Sequence, residues 1–237
     1  MSCEVIGHRG ASGTAPENTL AAFDRAERMG ASMVELDVQL SADGAVVVMH
    51  DDTVDRTTNG RGRVSSLRLE ELRALDAGGW FGPTFRGERV PTLAEVLSVV
   101  SVPINVELKS GGDEALAEKS LDTVRNAGAL GRVVFSSFED EALVRLRRLE
   151  PSAALAVLRS GGTIGHALDA AGRVGATALH LRNTRAWARS LRDTPPQGYT
   201  IRIWTVNSME EWTKFEEAGA TGLFTDHPER FLQFSAA

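Results

Sequence analysis

Met33-Val34-Glu35-Leu36-Asp37-Val38-Gln39-Leu40 decides how this chain is read. Apolar residues recur there at every second position, the period of a β-strand, with carboxylates at Glu35 and Asp37 between them. Side chains two apart on a strand project to the same side, so the two carboxylates share a face. The pattern returns at Ile104-Asn105-Val106-Glu107-Leu108-Lys109, where Glu107 and Lys109 form the second such pair.

Working outward, strand-like runs occupy 4–8, 33–40, 104–108, 133–136, 154–158, 178–181, 201–206 and 223–225. Amphipathic helical patterns lie between them at 19–29, 93–100, 113–127, 140–149, 163–174, 184–192, 209–218 and 228–234, the first with Leu20, Phe23 and Ala26 on one face. Strand–helix alternation implies parallel strands joined by right-handed crossovers. Eight such units favour a closed (β/α)8 TIM barrel. An open doubly wound sheet is the alternative, but no glycine-rich dinucleotide fingerprint follows the first strand. The interval 51–90 breaks the rhythm, being rich in Gly, Arg, Thr and Asp. A structureless loop of that length is rare in a compact domain. It reads as a small insertion after the second strand, capping one mouth of the barrel and anchored by Trp80, Phe81 and Phe85.

The chain has 237 residues, 42% of them hydrophobic and 24% charged, which suits one barrel domain spanning 1–237. The net charge of −6 and the lack of a dense Lys/Arg run argue against nucleic-acid binding. Cys3 is the single cysteine, so no internal disulfide forms. There is no visible signal peptide and no apolar run long enough to span a bilayer, and the expected location is cytoplasmic, without stable membrane association.

Active sites of such barrels form at the C-terminal ends of the strands, so polar residues there matter most. The first strand ends in His8-Arg9-Gly10, and the segment after the second reaches His50-Asp51. A Glu-x-Asp on one strand is ordinarily a solvated pair, and Glu107 with Lys109 an ordinary ion pair. Their coincidence on neighbouring strands, flanked by apolar residues, calls for another cause, because buried charge is costly. Three inward carboxylates (Glu35, Asp37, Glu107) would be reconciled by one hard divalent cation. An all-oxygen site suits Mg²⁺ or Ca²⁺ better than Zn²⁺. His8 and His50 suit acid–base work near neutral pH, and Arg9 and Lys109 would meet charge on a phosphoryl group. His166, His180 and His227 read as structural or surface residues.

The ordered motifs His8-Arg9-Gly10, Pro16-Glu17-Asn18-Thr19, Glu35-Leu36-Asp37-Val38 and Val48-Met49-His50-Asp51 resemble the glycerophosphodiester phosphodiesterase family. Asn105-Val106-Glu107-Leu108-Lys109, Trp204-Thr205-Val206-Asn207 and Thr225-Asp226-His227-Pro228 extend the likeness over nearly the whole chain, though 111–198 match loosely. The size is similar to that of the short cytoplasmic bacterial members. The resemblance implies a barrel with an insertion after the second strand, metal ligands Glu35, Asp37 and Glu107, and acid–base residues His8 and His50. It implies phosphate contacts from Arg9 and Lys109. Asn18 would order the first loop and touch the phosphate or the metal's water shell, and Trp204 would line the pocket for glycerol or the alcohol. The implied reaction is hydrolysis of small glycerophosphodiesters to sn-glycerol 3-phosphate and an alcohol. A lysophospholipid or phosphoinositide diesterase is the nearest enzymatic alternative, and a non-catalytic phosphodiester-binding barrel the alternative of another class.

Overall fold

A computed structural model describes residues 3–109 and 114–231. Its strands are β1 (Glu4–Gly7), β2 (Met33–Leu40), β3 (Val46–Val48), β4 (Ile104–Leu108), β5 (Val133–Ser137), β6 (Ala154–Arg159), β7 (Ala178–Arg182), β8 (Thr200–Trp204) and β9 (Gly222–Thr225). β1 pairs in parallel with β9 on one side and with β2 on the other, so the order β1-β9-β8-β7-β6-β5-β4-β2 closes into a ring. The closed (β/α)8 barrel is therefore the fold. β3 is a ninth strand that the sequence reading did not separate; it folds back antiparallel on β2, with Val38 opposite Val48.

Helices α1 (Leu20–Arg28), α2 (Leu69–Arg73), α3 (Leu93–Val99), α4 (Glu114–Asn126), α5 (Asp140–Leu149), α6 (Ile164–Val174), α7 (Arg185–Asp193) and α8 (Met209–Glu216) follow. All lie in the connections between barrel strands, α2 sharing the β2–β4 connection with α3. The start of the expected helix at 113 and the end of that at 228–234 fall outside the described residues; within them, Pro228–Arg230 is a single 3-10 turn. Local chemistry sets the helix starts. Thr19, Thr92, Thr163, Thr184 and Ser208 each accept a hydrogen bond from a first-turn N–H, satisfying a donor that has no intrahelical partner. On α1 the buried face is Ala22, Phe23 and Ala26, with Leu20 half-buried beside them.

The period of two sorts each strand between two cores. Val34, Leu36, Val38, Ile104, Val106 and Leu108 face the helices and join the main core. The residues between them face the barrel interior, where Ile6, Met33 and Phe224 pack together. Glu35, Asp37, Asn105, Ser136, His180 and Arg202 are buried polar residues on these same strands. Those that face inward explain why the site is where it is.

The insertion differs from expectation in two ways. Its core is aliphatic: Val47, Met49, Val54, Val64, Leu72, Ala77 and Val90 are buried together. Trp80 is 42% exposed, and Trp80, Phe81 and Phe85 touch edge to face in series at 5.6 and 5.5 Å. The Trp80 Nε1–H donates to the Ala77 carbonyl at 2.9 Å, which holds the indole at the rim with its polar atom satisfied. Nor does any residue of 51–90 line the main cavity described below. Asp51 and Arg56 tie the segment to the site, through His50 and Glu17.

Candidate active site

Strand register brings the carboxylates together. Asp37 lies opposite Glu107 and Glu35 opposite Asn105 across the β2–β4 ladder. One oxygen each from Glu35, Asp37 and Glu107 lies within 4.8 Å of the others. Burial and the neighbouring Asp37 charge push the Glu35 carboxyl up to about 8 and raise Glu107 as well. Burial alone would raise Asp37 too, but Arg9, Lys109, His50 and the Asn18 amide hold it below the usual carboxylate range. Such a crowd of hard oxygen donors, two of them resisting ionisation for want of positive charge, fits a divalent cation.

The two histidines stand at the ends of different strands, each tied to a carboxylate through Nδ1. His8 Nδ1 is 2.7 Å from Asp226 Oδ1, and Asp226 is fixed in turn by Ser12 Oγ at 2.9 Å and Asn207 Nδ2 at 2.7 Å. His50 Nδ1 is 2.6 Å from Asp51 Oδ1. With Nδ1 engaged, Nε2 of each ring is the nitrogen left for chemistry. The environments differ. Burial would lower His8, yet the Asp226 hydrogen bond and the nearby Glu35 raise it overall. Burial lowers His50, aided by Arg9 and Lys109 and opposed by Asp37. Two imidazoles displaced in opposite directions suit one proton donor and one acceptor.

Positive charge comes from Arg9 and Lys109. Lys109 Nζ lies 2.9 Å from Glu107 and 3.5 Å from Asp37, while Arg9 bonds Glu17 at 2.7 Å and its Nε lies 3.4 Å from Asp37. Arg56 then bridges Glu17 (2.7 Å) and Asp51 (2.6 Å), so one guanidinium links the Arg9 side of the site to the His50 side. The turn after β1 makes this possible. Arg9 adopts a left-handed φ of 56°, which aims its N–H at Glu35 Oε2, 2.8 Å away. Gly10 follows with φ 83°, where a Cβ would lie 2.5 Å from the Ala22 carbonyl carbon.

A cavity of about 250 Å³ joins these groups. His8, Arg9, Glu35, His50, Glu107 and Lys109 line its polar end. Phe138, Leu158, Trp204 and Phe224 line the apolar end, with the Phe138 and Trp204 rings edge to face at 5.6 Å. Asn105 and His180 complete the wall. Trp204 is thus part of the cavity lining. Asn18 does not line this cavity; it is buried, with φ 58°, and its Nδ2 donates to Asp37 Oδ2 at 2.9 Å. Its amide thereby orients the Asp37 carboxylate.

The sequence reading left Asp226, Arg56, Glu17, Asn105, His180 and Phe138 without roles at the site. Asp226 meets His8 only because β9 closes against β1, a pairing 218 positions apart in sequence. His227, beside it, bonds Glu229 at 3.1 Å and packs over Gly13.

The barrel and the two histidines beside an acidic cluster suit a hydrolase of phosphoric esters. The sequence profile of the glycerophosphoryl diester phosphodiesterase family matches residues 8–230, and the chain belongs to that family. A glycerophosphodiester phosphodiesterase of Caldanaerobacter subterraneus subsp. tengcongensis is 38% identical over 98% of this chain and 97% of its own. One from Bacillus subtilis is 32% identical over 96% and 84%. Among solved structures, an Oleispira antarctica phosphodiesterase in complex with the product sn-glycerol-3-phosphate superposes with a TM-score of 0.93. It is 32% identical and the match covers 100% of this chain and 98% of that one. The protein is thus a phosphoric diester hydrolase. No described helix is long and apolar enough to cross a membrane.

Proposed function

We propose that this enzyme hydrolyses small glycerophosphodiesters, such as glycerophosphocholine or glycerophosphoethanolamine, to sn-glycerol 3-phosphate and the free alcohol, with His8 and His50 as the acid–base pair. The observation that carries this reading is the pair of carboxylate-tethered histidines on the cavity that also holds the acidic cluster. One divalent cation, Mg²⁺ or Ca²⁺, held by Glu35, Asp37 and Glu107, would draw charge from the phosphoryl oxygens and make phosphorus more electrophilic.

The chain's own groups account for the rest. Arg9 and Lys109 bind the phosphate and keep it inside the cavity. His50, the less basic ring, removes the proton from the attacking hydroxyl, either water or the glycerol 2-hydroxyl, which would give a cyclic phosphate that water then opens. His8, the more basic ring, gives a proton to the departing alkoxide. Asp226 and Asp51 hold each ring in place and stabilise its charged form. In the second step of the cyclic route the two rings exchange roles. The apolar end, with Trp204 and Phe138, receives the alcohol. We read the whole chain as one catalytic unit working in the cytoplasm on small molecules.

The test is release of sn-glycerol 3-phosphate from glycerophosphocholine by chelator-stripped protein, with Mg²⁺ or Ca²⁺ restored, beside His50→Ala. Activity lost on stripping, regained with metal and absent in the variant supports the reading. Metal-independent release undiminished in the variant overturns the site. Preference for lysophospholipid over glycerophosphocholine overturns the substrate.

A further inference from the structure

Three buried polar atoms belonging to residues that line the cavity have no hydrogen-bond partner among the described residues. Arg9 Nε has the Asp37 carboxylate 3.4 Å away as an ion-pair partner, which leaves Asn105 Oδ1 and His180 Nδ1. Both residues are almost fully buried, at 1% and 0% exposure. Buried polar atoms are nearly always satisfied, so each calls for an occupant.

The chemistry of the two atoms can be assigned. Asn105 Nδ2 donates to Ser136 Oγ at 2.9 Å, which orients the amide and makes its free atom the carbonyl oxygen, an acceptor. The His180 Nε2 faces Arg202 Nη1 at 3.5 Å, and a guanidinium can only donate. Nε2 is therefore the bare nitrogen and the ring proton sits on Nδ1, a donor. Burial and the Arg202 charge keep the ring neutral, well below its ordinary pKa. Around them the wall is apolar: the Phe224 ring lies 5.0 Å from the imidazole and Leu158 lines the same space.

A cavity lined by one neutral donor and one neutral acceptor is matched by a group that both donates and accepts. A hydroxyl does this. A carboxylate would repel the amide oxygen, and an ammonium has nothing to offer the imidazole N–H. We propose that His180 and Asn105 form a hydroxyl-binding subsite that takes the glycerol hydroxyl farther from phosphorus, and so select glycerol over shorter or deoxygenated alcohols. The 2-hydroxyl sits on the carbon next to the ester carbon and stays near the phosphoryl end. The terminal hydroxyl is one carbon farther and reaches along the wall. This subsite rests on the glycerophosphodiester reading above and names what that reading leaves open, the selection of glycerol itself.

The test compares glycerophosphocholine with its analogue lacking the terminal hydroxyl, measuring choline release by the metal-loaded enzyme. The wild-type protein is expected to show kcat/KM about 10- to 100-fold lower on the deoxy analogue. Asn105→Leu and His180→Phe, near-isosteric and apolar, should lose activity on glycerophosphocholine and bring the ratio of the two substrates toward unity. A wild-type ratio near one overturns the proposal without any variant. So does an equal loss on both substrates in the variants, which would mean a structural water fills the site. A second measurement separates this from failure of the functional reading. If neither substrate is cleaved, calorimetric titration with sn-glycerol 3-phosphate and its deoxy counterpart still decides: tighter binding of the hydroxylated ligand supports the subsite, and equal affinity overturns it.

Discussion

Replacing His180 with Gln should flatten the acid limb of the protein's stability curve. The imidazole is fully buried inside the barrel, with burial and the Arg202 charge both disfavouring the protonated form. In the unfolded chain the same ring has its ordinary pKa near 6.5. The folded pKa lies below the unfolded one, so as pH falls through 6.5 the unfolded chain takes up a proton that the fold refuses. Stability is then lost with falling pH. The loss follows RT ln(1 + 10^(6.5 − pH)), about 0.8 kcal/mol at pH 6 and about 2 kcal/mol at pH 5. His8 and His50 titrate in both proteins and cancel in the comparison. Gln keeps an acceptor for Arg202 but has no proton to gain. Urea denaturation of both proteins from pH 7.5 to 5 reads the effect: the stability of the wild type relative to His180→Gln should fall by about 2 kcal/mol across that range. Parallel curves would show that the buried ring protonates as readily as a free one. That result would also remove the neutral N–H donor from the cavity wall.

Asp226→Asn removes the carboxylate that tethers His8, and kcat should fall within the range of about 10²- to 10⁴-fold typical of acid–base groups, with KM little changed, in a steady-state assay. Arg56→Ala cuts the bridge between Glu17 and Asp51 at a half-exposed site; urea melts should show a stability change under about 1 kcal/mol, while kcat falls as His50 loses its braced partner. Wild-type protein at a cation concentration 100 times Kd should gain about 2.7 kcal/mol of stability, and Glu107→Gln at the same concentration should gain much less, as read by thermal unfolding with Mg²⁺ or Ca²⁺. Leu72→Ala opens a hole in the core of the insertion and should cost about 2–5 kcal/mol, measured by denaturant melts.

How much of the site was legible depended on whether its partners lie on one strand. Glu35 with Asp37, and Glu107 with Lys109, could be placed on common faces because strand geometry fixes where residue i+2 points. Asp226 was visible as part of a motif but not as the partner of His8, since that contact exists only after β9 meets β1. Arg56 lay in a stretch without periodicity, and its two carboxylates, Glu17 and Asp51, are 39 and 5 residues away. The aromatic triplet of the insertion misled for a related reason: hydrophobicity alone does not say which apolar residues win the interior. Short aliphatic side chains fill the space under β3, while Trp80 needs a partner for its N–H and finds it at the surface.

By itself the sequence determined the alternation of strands and helices, the inward face of β2 and β4, and the residue types from which an acid–base and cation site is built. These are local properties, set by backbone period and side-chain chemistry. The tertiary structure decided closure of the ring, which residues orient the two histidines, which residues of the insertion are buried, and the presence of Asn105 and His180 in one cavity. Each of those depends on the register of strands far apart in the chain, and register is fixed only when the whole barrel packs at once.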